Sequence, residues 1–296
     1  MDSNVLCAND DQAERALHDL TDVLVAHPDQ GNVWFSLMSL SEIVAPDRVK
    51  TRIDLLERFR NLYQRFGDRV RFLRSLNDNV LAECRSTGIP SAPAQVVEED
   101  VLKAIEAGDL VGLLQEARED WRSNKERLRE RHGALALEYR KDYDESPEFR
   151  KDFAQIVPTF FSAEALNQCD DIAADLIAET EPAVSLEAVK SQHLLFPCTW
   201  TFALLARLAQ YAQTISPGER RAQFPSLDAV LTPHANDFID AEIAGTGGRC
   251  GMMITNDRGL IAKLNRLHDA NLVRLQGFTV SDALAAYNPP NGRTRS

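Results

Sequence analysis

Residues 250–259 read CGMMITNDRG: an apolar run, Met252, Met253, Ile254 and Thr255, that ends on Asn256 and Asp257 and turns through a glycine. The run suits a short buried strand, and RGLIAKLNRL beyond it has helical periodicity. A carboxylate is costly to desolvate unless something pairs with it, so Asp257 needs a reason for its place. One reason is local, because Asp after a strand often caps the next helix. The other is architectural, because an open α/β sheet collects its ligands beyond the carboxyl ends of its strands. Both remain open for this residue alone.

Working outward, NLVRLQGFTV (271–280) reads as a final strand, and NDFIDAEIAG starts a helix in which Asp237 and Asp240, three apart, share a face. Upstream, residues 191–213 form a long apolar helix. The segment 194–212 has the best claim to a membrane span, but Pro197 and Arg207 interrupt it and its apolar part is short, so a buried core helix is expected. With no signal peptide in MDSNVLCAND, a cytoplasmic location is expected.

The first third mixes signals. VLC near the start suits a strand, and residues 13–27 form an amphipathic helix. NVWFSLMSLSEIVA (32–45) places Val33, Leu37, Leu40 and Val44 on one helical face, with Asn32 as N-cap and Pro46 as stop. RIDLLERFRNLYQRF is a further helix and RVRFL a short β-like run. IPSAPAQ then reads as a linker. Beyond it, charges of alternating sign mark exposed, salt-bridged helices down to Glu145, with a further acidic helix in NQCDDIAADLIAE. The expected organisation is 1–90, a helical insertion at 91–190, a second α/β part at 191–285, and a flexible tail at 286–296.

The chain has 33 Lys and Arg against 45 Asp and Glu, a net charge of −12, yet residues 48–74 hold nine basic and three acidic side chains. That local excess fits either a polyanion-binding surface or a helix face paired with acidic neighbours. Five scattered cysteines without a CxxC pair argue against a disulfide framework or structural zinc, and the six histidines lack ligand spacing. His234, near the acids discussed below, reads as structural or surface. No GxxxxGK[ST] loop or GxSxG elbow is present, which excludes the common NTPase and acyl-transfer signatures.

Asp2 in MDSN, Glu42 in SLMSLSEIVA, Asp240 in DxxDAEIA and Asp257 in ITND follow an order that resembles the PIN-domain nuclease family. Asp240 and Asp257 lie seventeen residues apart, close to the helix-turn-strand interval of that family. Only Met1 precedes Asp2, so the first strand of the family is either stunted here or starts upstream. The resemblance spans residues 1–85 and 190–285. It implies a PIN-like three-layer α/β fold with a central parallel sheet, interrupted by the mostly α-helical insertion. It also implies Mg²⁺ or Mn²⁺ held by Asp2, Glu42, Asp240 and Asp257, with Asp237 as an outer or alternative ligand and Ser3 and Asn4 supporting the Asp2 loop. The implied activity is phosphodiester hydrolysis, with single-stranded RNA as substrate and the basic segment, Arg48, Lys50, Arg52, Arg58 and Arg60, tracking its phosphates. Clustered carboxylates need such a counter-charge, and hard divalent cations supply it through oxygen ligands. Two other readings stand beside this one. One is a PIN-like scaffold that binds a protein partner through its insertion, and the other is an α-helical interaction protein whose acids are ordinary caps.

Overall fold

A computed structural model of the chain describes residues 5–6, 11–26, 32–44, 49–86, 110–181 and 183–287. The architecture is mixed α/β, mostly helical, with two small parallel sheets. The order is α1 (Asp11–Ala26), β1 (Val33–Ser36), α2 (Leu37–Val44), α3 (Val49–Phe66), β2 (Val70–Leu73) and α4 (Leu76–Arg85). Then come α5 (Leu110–Glu145), α6 (Pro147–Thr159), α7 (Ala165–Gln168), α8 (Asp170–Thr180), α9 (Leu186–Ser191), α10 (Pro197–Thr214) and α11 (Pro217–Gln223). The chain closes with α12 (Asp237–Thr246), β3 (Met252–Ile254), α13 (Arg258–Asp269), β4 (Gln276–Phe278) and α14 (Val280–Tyr287).

β1 pairs in parallel with β2, Val33 opposite Val70, and β3 in parallel with β4, Met252 opposite Gln276. Among the described residues the two pairs do not join into one central sheet. Instead β1 and β3 both line a cavity of about 260 Å³, together with Leu73, Ile243 and Leu275.

The single helix expected over 32–45 is instead a strand followed by a helix. Val33, Trp34 and Phe35 are β-branched and aromatic residues that fit a half-buried pleat, and Phe35 packs edge-on against Phe59 of α3, ring centroids 5.2 Å apart. Buried Ser36 then starts α2: its hydroxyl accepts from Ser39 N at 2.9 Å. Near the amino terminus, Val5 and Leu6 lie buried in a turn rather than a strand; Cys7 is outside the described residues. The last strand is shorter than expected, three residues of the run 271–280.

Two hydrophobic cores result. One joins α1, β1, α2, α3 and β2 through Leu20, Phe35, Ile43, Phe59 and Phe72, and takes in Ile254 at the end of β3 and Val280 of α14. The other centres on α10, whose side chains are buried on nearly every face, the pattern of a helix surrounded by others. No helix among the described residues is long and apolar enough to cross a membrane. Helices of the expected insertion join this same core through Tyr143, Phe153, Phe160, Leu176 and Val189. The linker expected at IPSAPAQ and residues 288–296 of the expected tail lie outside the described residues.

The amino terminus of α10 is capped from a distance. Glu83 of α4, fully buried, accepts from Cys198 N at 2.7 Å, Thr199 N at 3.1 Å and Thr199 Oγ1 at 2.9 Å. Arg249, in the turn after α12, donates to the same carboxylate at 3.3 Å and to Asn79 O at 2.9 Å. Four of the backbone donors at a helix start have no intrahelical acceptor; Glu83 satisfies two of them and ties α4, α10 and the approach to β3 into one unit.

Candidate functional site

α12 and α13 begin side by side, and their starts carry most of the acids singled out from the sequence. Asp257 follows β3 and is the N-cap of α13: its Oδ1 accepts from Leu260 N at 2.9 Å, and its own N–H donates to Thr255 Oγ1 at 3.1 Å. Thr255, fully buried, extends the pairing of β3 by donating to Phe278 O at 3.0 Å. The carboxylate thus stands at the carboxyl end of a parallel strand and caps the next helix as well.

Asp237 and Asp240 lie in the first turn of α12, where negative charge suits the helix dipole. Asp240 is half-buried. Asp237 is buried, and both of its oxygens are engaged: Oδ1 by the ammonium of Lys263 from α13, Oδ2 by His234 N at 2.8 Å. The Asp237–Lys263 pair escapes a reading of the sequence in segments. One signal exists: Lys263 falls on the apolar stripe of Leu260, Leu264 and Leu267, where a lysine needs a buried counter-charge.

Glu42, half-buried on α2, leaves β1 within one helical turn and a half. Asp2, Ser3 and Asn4 lie outside the described residues. Glu42, Asp237, Asp240 and Asp257 do not bring three ligand atoms within 4.8 Å of one another. Among the described residues that spacing occurs in His18, Asp19 and Asp22, all exposed on α1.

The basic segment divides between internal and outward use. On α3, Arg58 donates to Leu6 O at 2.9 Å and lies 3.9 Å from Glu14, and Arg65 pairs with Asp22. Arg69, just beyond the helix, donates to Leu24 O at 2.7 Å. These contacts fasten α3 to α1 and the amino-terminal turn. Lys50 and Arg60 are exposed; Arg48 and the side chain of Arg52 lie outside what is described.

A second cavity, of about 590 Å³, opens among α4, α5, α8, α10 and α12. Glu242 of α12 lines it, and burial pushes its carboxyl up to about 6 although Arg127 pulls it down. Arg207 of α10 is held there by Asp171, Tyr139 and Gln210. The four described cysteines, Cys84, Cys169, Cys198 and Cys250, are free thiols.

No protein-family model matches the chain, and no curated protein or solved structure matches it either.

Proposed function

We propose that the chain is a metal-dependent phosphodiesterase of PIN type that cleaves single-stranded RNA, with Asp2, Glu42, Asp240 and Asp257 as the ligands, direct or through water, of Mg²⁺ or Mn²⁺. The observation that carries the reading is where the acids leave the strands. α2, with Glu42, follows β1 without a break, and Asp257 stands between the end of β3 and α13. Ligand sites of α/β folds form at such strand ends.

The donors suit the cation, since carboxylate oxygens are hard ligands. Mg²⁺ keeps several waters and binds directly through only one or two carboxylates, so the remaining acids would act through those waters. When bound, the ion would lower the pKa of a water and neutralise charge on the phosphate. The residues of the chain do the positioning. Asp257 is oriented by its cap to Leu260 N, which occupies one oxygen. Asp237, through Lys263 and His234, fixes the start of α12 and with it Asp240. Lys50 and Arg60, exposed on α3, would take RNA phosphates.

The test is cleavage of labelled single-stranded RNA with Mn²⁺, Mg²⁺ or EDTA, comparing wild type with Asp257→Asn. The expected result is metal-dependent cleavage that falls at least about a hundredfold in the variant, a drop of the size seen when a group that stabilises transition-state charge is lost. Equal activity in both would mean that the cleavage belongs elsewhere.

A second reading, an interaction module built on the same scaffold, is favoured by the helical segment. Leu137 on α5 is 72% exposed and Ile156 on α6 is 40% exposed, and a protein partner would cover such apolar side chains. A wild-type protein that leaves RNA intact with every metal would favour this reading.

A further inference from the structure

His234 lies in the loop before α12, and its backbone is tied down. Its N–H donates to Asp237 Oδ2 at 2.8 Å, and its carbonyl accepts from Asp237 N at 3.2 Å. Because Asp237 is also held by Lys263, the loop is anchored to both α12 and α13. The imidazole itself is exposed and, among the described residues, makes no hydrogen bond or ion pair.

What the imidazole faces is defined by Gly259, in the first turn of α13. A Cβ there would lie 3.0 Å from His234 Nε2 and 3.1 Å from Asp257 Oδ1. The imidazole nitrogen and the capping oxygen of the carboxylate therefore both border the space beside Gly259, at most about 6 Å from each other. Asp257 Oδ1 serves the cap, and Oδ2 has no hydrogen-bond partner among the described residues.

This rests on the metal-dependent reading above: we propose that His234 is a nitrogen ligand of the divalent cation that Asp257 holds, and that the pair makes the site take Mn²⁺ in preference to Mg²⁺. Mg²⁺ demands oxygen donors, whereas an imidazole adds affinity for a transition metal. Ligand atoms each about 2.1 Å from one ion sit about 3 Å apart. Binding would need the exposed imidazole to rotate about its two side-chain torsions toward Asp257, the anchored backbone staying in place. Nδ1 then carries the proton and faces solvent.

The experiment reads metal binding rather than cleavage. Mn²⁺ is titrated into the full chain, wild type, His234→Gln and Asp257→Asn, with free Mn²⁺ followed by electron paramagnetic resonance and Mg²⁺ as competitor. Circular dichroism confirms that each variant is folded. The expected result is a wild type that binds Mn²⁺ at least about tenfold more tightly than Mg²⁺. His234→Gln should lose about tenfold in Mn²⁺ affinity, at the lower end of what disturbing a metal site costs, with Mg²⁺ unchanged. Nitrogen modulation in the spin-echo spectrum of wild-type Mn²⁺ should vanish in His234→Gln. Mn²⁺ binding that depends on Asp257 but is indifferent to His234, without nitrogen modulation, overturns the histidine ligand and leaves the metal site standing. Wild-type protein that does not bind Mn²⁺, or binds it equally well as Asp257→Asn, overturns both.

Discussion

Asp237→Asn separates a structural carboxylate from a metal ligand. In the native chain Asp237 and Lys263 are 6% and 3% exposed and form an ion pair. Asparagine keeps the acceptor for His234 N but removes the charge, leaving an ammonium buried without a counter-ion. Breaking a buried pair in this way costs about 3–5 kcal/mol, a large share of a typical total stability of about 5–15 kcal/mol. With a urea dependence of about 3 kcal/mol per M, near the top of the range for small proteins, the midpoint should fall by roughly 1–1.7 M. Lys263→Met should cost a similar amount. The double variant Asp237→Leu/Lys263→Met should cost much less than the two single changes together, because an apolar pair of similar volume replaces the ions without stranding either. The assay is urea unfolding followed by tryptophan fluorescence, with Mn²⁺ affinity measured on each variant that remains folded. A loss below about 1 kcal/mol for Asp237→Asn, accompanied by a tenfold loss of Mn²⁺ affinity, would refute the structural assignment and make Asp237 a direct ligand.

Glu83→Ala removes both the cap of α10 and the counter-charge of Arg249, so it should cost about 3–5 kcal/mol. Glu83→Gln also removes the charge but still accepts from the helix amides, so it should cost less than Glu83→Ala, and urea midpoints test that order. Glu242 has its carboxyl pushed up from 4.5 to about 6 by burial. The folded state therefore favours the protonated acid, and that contribution is complete below about pH 4.5 and lost as pH rises through 6. Relative to Glu242→Gln, wild type should lose on the order of 1–2 kcal/mol between pH 4.5 and 7, measured by urea unfolding across that range. Gly248→Ala would set a Cβ 2.5 Å from Pro197 O and 2.9 Å from Cys198 Cα, both backbone atoms at the start of α10. Overpacking of that kind should cost about 1–3 kcal/mol. By contrast Gly133→Ala, inside α5 with nothing within 4 Å, should gain up to about 1 kcal/mol in a thermal melt.

The helices were legible in the sequence because composition and periodicity are local properties, and α1, α3, α5 and α13 lie close to where their patterns place them. α10 starts at Pro197 rather than near 191, because a separate short turn, His193–Leu195, precedes the proline that opens it. β1 was hidden by coincidence. Val33, Leu37, Leu40 and Val44 keep helical spacing, and the partner that holds Val33–Ser36 extended is β2, more than thirty residues downstream. The shared core of the insertion was illegible for a related reason. Charges alternate along α5, but burial of Tyr143, Phe153 and Phe160 depends on α10, which the local pattern does not mention. Of the candidate site, the acids were legible and the distant partner was not. His234 N reaches Asp237 locally, three residues away, but Lys263 meets it only because α13 packs beside the start of α12.

That convergence bears on whether Asp257 caps or binds. The alternatives compete only if one oxygen must do both, and a carboxylate has two. Oδ1 closes the first turn of α13, and a side chain held at one oxygen is oriented for whatever the other meets. The helix start also has a cost for metal binding. The positive end of α13 opposes a cation there by about 0.3–1 kcal/mol near the surface, so Asp257 alone is a poor site. A cation at Asp257 needs more negative charge than the cap supplies, and on the function proposed above Asp240 and Glu42 would bring it. Metal affinity should therefore fall in steps as those carboxylates are neutralised one at a time. If Asp257→Asn alone removes all binding while Glu42→Gln and Asp240→Asn leave it intact, the acids do not form one site.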